Sequence, residues 1–295
     1  MCKFYKISLI QFTQFFILFV LGFTACKTPK PFTQEEAYQE NVQYIKSQAY
    51  DNWNKRSNRK NAAVATFFLE KAHSLEPENL EIALLLSRAY HFEAYYIESD
   101  PVQKDSLYMM GARLALHIVE QSPAYQHTLV TVPGDSMLKV TEAVAVVEKK
   151  YINALYWWAA NMGRYLSQKP VRMRLNNREL VEAVVHRILA LDPDFFYGGP
   201  YRFFGALYAR LPGVKLSRSA DYFEQAIKSH PNYLGTYVLR AQFLHTKAGD
   251  QEKFIQDLEY VINADAALIP EVMAENLFEQ KKAQFLLDEK EMLFE

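Results

Sequence analysis

Cysteine is almost absent from this chain. Two occur in 295 residues, Cys2 and Cys26, and none in the 269 that follow. Downstream of Cys26 there can be no disulfide, no thiolate zinc site and no cysteine nucleophile. Glycine is scarce at 10 residues, and neither GxxxxGK[ST] nor GxGxxG occurs. The one glycine-bearing stretch of interest, GGPYRFFG (198–205), is too bulky to cradle phosphate. HExxH, HxH and GxSxG are also missing, and the seven histidines (73, 91, 117, 127, 186, 230, 245) lack metal-ligand spacing. The expectation is a protein that is not an enzyme and carries no cofactor or metal. A formal charge of −1 supplies no basic excess for nucleic acid.

What is plentiful is apolar and aromatic surface. Half of the residues are hydrophobic, with 20 Phe and 19 Tyr. Such a chain can bury enough area to offset its conformational entropy, and its length allows a sizeable core.

The N-terminal stretch has its own character. Lys3 and Lys6 precede a mostly apolar run, Ile7 to Ala25, interrupted by Gln11, Thr13 and Gln14. Thr24 and Ala25 then lead into Cys26, in the phrase FTACKTP. Positive start, apolar middle and small-residue exit describe a secretory signal peptide. A cysteine directly after the small residues has the form of a bacterial lipobox, in which the thiol carries the lipid. Phe23 stands where that motif usually has Leu. The alternative is an uncleaved anchor helix, for which Ile7–Ala25 is almost long enough. The expected organisation is a lipoprotein signal peptide over 1–25, a tether over 26–34 and a helical domain over 35–295. Loss of Lys3 and Lys6 takes the formal charge to about −3. The expected location is the periplasmic side of a bacterial envelope, anchored by lipid to the inner or outer membrane.

From residue 35 the pattern is helical. ELVEAVVHRILALDP repeats apolar residues at steps of three and four, which predicts a helix over 177–191. Asn176 with Glu179 predicts a capping box, and Asp192-Pro193 a stop. TLVTVPGDS (128–136) reads as a loop, or a short extended piece and turn. Amphipathic stretches end near Pro77, Pro123, Pro193, Pro231 and Pro270, with gaps of 46, 70, 38 and 39 residues. The last two gaps lie near the tetratricopeptide period of about 34. Leu86-Ser87…Tyr90 and Phe204-Gly205…Tyr208 fit the first helix of such pairs, and Leu69…Ala72…Pro77 and Phe223…Ala226…Pro231 the second. The fold class expected is all-α, an α-solenoid of irregular tetratricopeptide-like helix pairs with a concave surface.

Two aromatic clusters stand out. ALYWWAANMGRYL holds Tyr156, Trp157, Trp158 and Tyr165, and DPDFFYGGPYRFFGALY holds Phe196, Tyr197, Tyr201, Phe204 and others. Adjacent tryptophans on a helix point about 100° apart. For any one aromatic the plain alternative is core packing. The functional reading is an apolar cavity or channel for an elongated hydrophobic or amphipathic ligand. Its candidate lining residues are Tyr156, Trp157, Trp158, Asn161, Phe196, Tyr197, Tyr201, Arg202 and Phe204. Asn161, Arg164 or Arg202 would hold a polar head group, unless Arg202 simply pairs with an acidic neighbour. KPVRMRLNNR (169–178) reads as a solvated basic loop.

ALYWWAANMG (154–163), ALDPDFFYGGPYRFFGALYARLPG (190–213), SADYFEQAIKSHPNYLGTYVLRAQF (219–243) and NLFEQKKAQFLLDEKEMLF (276–294) carry a family resemblance. With the lipobox, they make the chain similar to the T-component lipoproteins of TRAP-type transporters, the TatT family. The resemblance spans roughly residue 35 to the end and is strongest from 154. It implies a periplasmic helical protein that assembles as a homotrimer and docks a substrate-binding P-component. It also implies a hydrophobic channel through each subunit. The competing expectation is a tetratricopeptide scaffold lipoprotein serving envelope or outer-membrane assembly. The aromatic excess favours the transport reading, since peptide grooves are more often lined by Asn, Lys and Arg.

Overall fold

The computed structural model describes residues 33–294. Cys26, the 1–25 leader and most of the 26–34 tether lie outside the described residues. The chain divides into two units between Gln43 and Tyr44. That boundary falls inside the first helix, α1 (Gln34–Asn54). In the first unit, Thr33 and Glu36 form a reciprocal capping box, Glu36 N–H to Thr33 Oγ1 at 3.1 Å and Thr33 N–H to the Glu36 carboxylate at 2.8 Å. Everything that follows concerns residues 44–294.

The fold is all-α, and there are no strands among the described residues. After α1 come α2 (Arg59–Leu75), α3 (Leu80–Phe92), α4 (Pro101–Val119), α5 (Pro123–Thr131), α6 (Ser136–Ala145), α7 (Ile152–Ser167), α8 (Val171–Asn176) and α9 (Arg178–Leu191). Then follow α10 (Phe195–Arg210), α11 (Leu216–Ser229), α12 (Gly235–Leu239), α13 (Thr246–Ala248), α14 (Gln251–Asn263), α15 (Met273–Asp288) and α16 (Lys290–Phe294). Two wider π-helical turns interrupt them, Glu93–Ile97 after α3 and Arg240–His245 between α12 and α13.

Local chemistry sets most starts. Asn58, Asn79, Asp100, Ser122, Asp135 and Asp250 each accept a backbone N–H in the first turn through their side chains. Pro101 and Pro123 occupy first-turn positions, where no N–H is needed. α9 ends at Leu191, ahead of Asp192-Pro193. Its start differs from the sequence expectation. Residues 171–176 form the short helix α8, and Asn177 sits at the junction without a side-chain cap. Its amide instead donates to the Met173 carbonyl at 2.9 Å, so no Asn176–Glu179 capping box forms. Likewise 128–131 belongs to α5, because Ser122 and Pro123 start a helix that runs through it.

Small residues allow close approach between helices. Ser87 Oγ donates to the Gly111 carbonyl at 2.7 Å, joining α3 to α4. Ser219 Oγ donates to the Gly205 carbonyl at 2.7 Å, joining α10 to α11. A Cβ on Gly205 would come within 2.8 Å of the Phe223 ring. Along much of the unit each helix packs on its sequence neighbours. The last long helix, however, returns to the first ones. Glu275 of α15 pairs with Arg56 at 2.7 Å and Arg88 at 2.8 Å. Phe278 packs on Phe92 and Tyr96, at centroid distances of 5.5 and 5.2 Å. α15 also satisfies orphan backbone groups. Asn276 takes the Leu234 N–H and donates to the carbonyls of Asn232 and Ala266, and Gln280 donates to those of Val261, Ile262 and Ala264. A cavity remains between α3, α7, α10, α12 and α15.

Candidate functional site

Helix α7 divides its two tryptophans. Trp157 and Trp158 are almost equally buried, at 6% and 4% exposure, but face opposite environments. Trp157 borders the cavity, and Trp158 lies with Ala159, Met162, Leu180 and Val184 around a much smaller gap. The cavity holds about 830 Å³ between its side chains, solvent at its mouth included. Its aromatic wall comprises Phe92, Tyr95, Tyr96, Tyr156, Trp157, Phe196, Phe203 and Tyr233.

Phe196 reaches the wall through an unusual backbone. Phe196, Tyr197 and Gly198 all have positive φ, at 47°, 57° and 70°. For non-glycine residues the left-handed region costs about 1–2 kcal/mol each. Arg202 holds this segment in place. Its guanidinium donates to the carbonyls of Tyr197 at 2.9 Å and Phe196 at 3.2 Å, and to the Tyr156 hydroxyl at 3.0 Å. It also lies 4.0 Å from the Tyr233 ring centroid. Gly199 is needed next, because a Cβ there would sit 2.5 Å from the Tyr156 ring.

The charged groups of the cavity fall into two sets. Arg88 is neutralised by Glu275, which also serves Arg56, and stacks over Trp157 and Phe196. Glu279 accepts the Tyr96 hydroxyl at 2.8 Å, and its other oxygen is buried without a partner. Arg164 and Arg210 make no ion pair among the described residues. Arg164 rests 3.9 Å from the Tyr95 ring centroid, and Arg210 donates Nε–H to the Ala206 carbonyl at 3.0 Å. Burial, helped by the nearby charges of Arg164 and Arg174, pushes the Arg210 pKa down to about 10. His91 lies on the same wall with Nδ1 buried and unpartnered. Burial, and then the Arg164 charge, lower its pKa to about 3, so the ring is neutral near pH 7.

Of the residues singled out by sequence, Tyr156, Trp157, Phe196 and Arg202 line the cavity, as does Arg164. Trp158, Asn161, Tyr197, Tyr201 and Phe204 are not among its lining residues. Asn161 is fully buried and donates to the carbonyls of Trp157 and Ser87, tying α7 to α3. Phe204 packs against Tyr208, Tyr222 and His186. Tyr197 stacks on Tyr233 at 15° between planes, and Tyr201 lies near Tyr222. Arg202 has no acidic neighbour in contact; its partners are carbonyls and aromatic rings. His91, Tyr95 and Tyr96 lie in HFEAYY, where aromatic density carries the same signal as in the other clusters. Glu275, Glu279 and Arg210 carry no local signal, since only the return of α15 brings the carboxylates to the cavity.

A sequence model described as TAtT: TRAP transporter T-component matches residues 60–294. No curated protein matches the chain. No described helix is long and apolar enough to cross a membrane. The matched span includes every element around the cavity, from α3 to α15. The chain therefore belongs to the TRAP transporter T-component family and is an accessory component of that transport system in the cell envelope.

Proposed function

We propose that the chain is a lipid-anchored, periplasm-facing component of a TRAP-type transporter. It docks a substrate-binding P-component and passes it a hydrophobic or carboxylate-bearing ligand. Cys26 carries the lipid after removal of 1–25, 26–34 forms the tether, and the 35–295 domain assembles as a homotrimer. Tyr156, Trp157, Phe196 and Arg202 form part of the ligand wall, and Trp158, Asn161, Tyr197, Tyr201 and Phe204 back it. The observation that supports this reading is the lining of the cavity, mostly aromatic with a few charged side chains, as small-molecule sites commonly have. Apolar ligands partition poorly into water, and a dry wall beside a binding protein shields them during transfer. Lipid anchoring raises the local concentration of the domain near its membrane partners.

The test is native mass spectrometry of the protein purified from its own envelope. A bound apolar adduct is expected, and Trp157→Ala should lower its occupancy. Tyr201→Ala, outside the lining, should leave it unchanged. Undiminished occupancy in folded Trp157→Ala would sink the cavity assignment. Failure of a P-component to co-purify after cross-linking would sink the docking. Acyl labelling lost in Cys26→Ser checks the anchor.

A further inference from the structure

A second, smaller cavity adjoins the aromatic one and shares three lining residues with it, Gly163, Phe203 and Arg210. The Phe203 ring lies against Gly163, where a Cβ would meet it at 2.7 Å, so this aromatic plate is the common wall. The far side of the plate is lined by Leu166, Ser167, Arg174, Arg178, Val181, Leu207 and Leu211. Arginines gather around the junction: Arg164 on one side, Arg174 and Arg178 on the other, and Arg210 on both. Arg178 is paired with Glu182 at 3.0 Å. Arg164, Arg174 and Arg210 form no ion pair among the described residues, and Arg174 Nε is buried with no partner at all. No carboxylate lines the second cavity. The first has two. Glu275 is taken up by Arg56 and Arg88, and Glu279 is engaged by Tyr96.

All three guanidiniums are partly buried and none has a contact ion pair, although the Glu279 charge reaches Arg164; a charge drawn out of water ordinarily finds a closer partner. Each is a planar fork suited to an oxyanion. The aromatic wall offers nothing to a second anion but much to an apolar body. We propose that the junction is an oxyanion-binding subsite, where Arg164 and Arg210, with Arg174 behind them, hold the carboxylate or phosphate head of an amphiphile whose apolar body lies in the aromatic cavity. This rests on the ligand-binding reading above and deepens it. Arg202, committed to two carbonyls and a hydroxyl, does not hold the head.

The experiment offers the full-length protein in non-ionic detergent four amphiphiles of equal chain length, with native mass spectrometry as the readout. The probes are decanoate, decyl phosphate, decan-1-ol and decyltrimethylammonium. Both anions should bind about tenfold or more tightly than the alcohol, the size expected of a charged hydrogen bond. Their order names the head group. Arg164→Gln and Arg210→Gln should each remove most of that preference without weakening the alcohol. Arg178→Gln, already paired with Glu182, should preserve it. The Arg164 side chain makes no hydrogen bond to the protein, so Arg164→Gln carries the test if Arg210→Gln fails to fold. Equal binding of anions and alcohol, or a preference untouched by Arg164→Gln, overturns the subsite but leaves the apolar-ligand reading standing. Binding of none of the four overturns both.

Discussion

The two faces of helix α7 make an instructive pair. On one, Trp158 meets Ala159, Met162 and Val184, and nearby Phe204 is fully enclosed by Tyr208, Tyr222 and His186. On the other, Trp157 meets His91, Phe196 and Arg88 at the edge of the cavity. Residue types are similar and exposure is nearly equal. The difference is what surrounds them: apolar contact with few charges on one side, and arginines, two carboxylates and a neutral imidazole on the other. Burial alone therefore does not separate core from site. Unfilled volume and uncompensated charge do.

The strongest test of this contrast is truncation. Phe204→Ala and Trp158→Ala should each cost about 3–5 kcal/mol in urea unfolding, as large buried side chains lost from tightly packed surroundings. Trp157→Ala should cost about 1–2 kcal/mol less than Trp158→Ala, because its ring already borders the larger empty space. Equal losses for the two tryptophans would break the comparison. Next in size is Arg202→Gln, expected to cost about 2–3 kcal/mol by leaving the Phe196 and Tyr197 carbonyls poorly satisfied beside a left-handed backbone. A crystal structure of that variant should find Phe196 displaced from the cavity wall. Gly199→Ala should lose about 1–2 kcal/mol through its clash with Tyr156, measured by thermal unfolding.

The last effect is in pH. His91 is neutral in the fold with a pKa near 3, against an ordinary 6.5. The unfolded chain thus binds the extra proton first, and stability should fall as pH drops below about 6.5 toward 3. His91→Gln should flatten that slope between pH 7 and 5 in denaturant titrations. An unchanged slope would show that the imidazole plays no part in the acid limb.

Much of the fold is legible in the chain. Helix α9 appears in the three-and-four spacing of ELVEAVVHRILALDP, and the helix ends near Pro77, Pro193 and Pro231 follow from local backbone rules. The exceptions are also local: α8 occupies part of the basic stretch read as loop, and Asn177 turns its amide back to Met173 rather than forward. The cavity was less legible. Aromatic density points to both faces of α7 and α10 at once, and it cannot say that Phe204 is enclosed while Phe203 forms a wall between two cavities. The pairing of Arg56 with Glu275 spans 219 residues, beyond any periodicity.

By itself, then, the sequence determined an all-α chain, its helix breaks and its place among TRAP T-components, because each is written in near neighbours or in similarity over most of the chain. The tertiary structure decided which aromatics border a cavity and which arginines lack partners. Those outcomes depend on α15 returning to α3, where two arginines claim Glu275 and leave Arg164 and Arg210 without a contact ion pair.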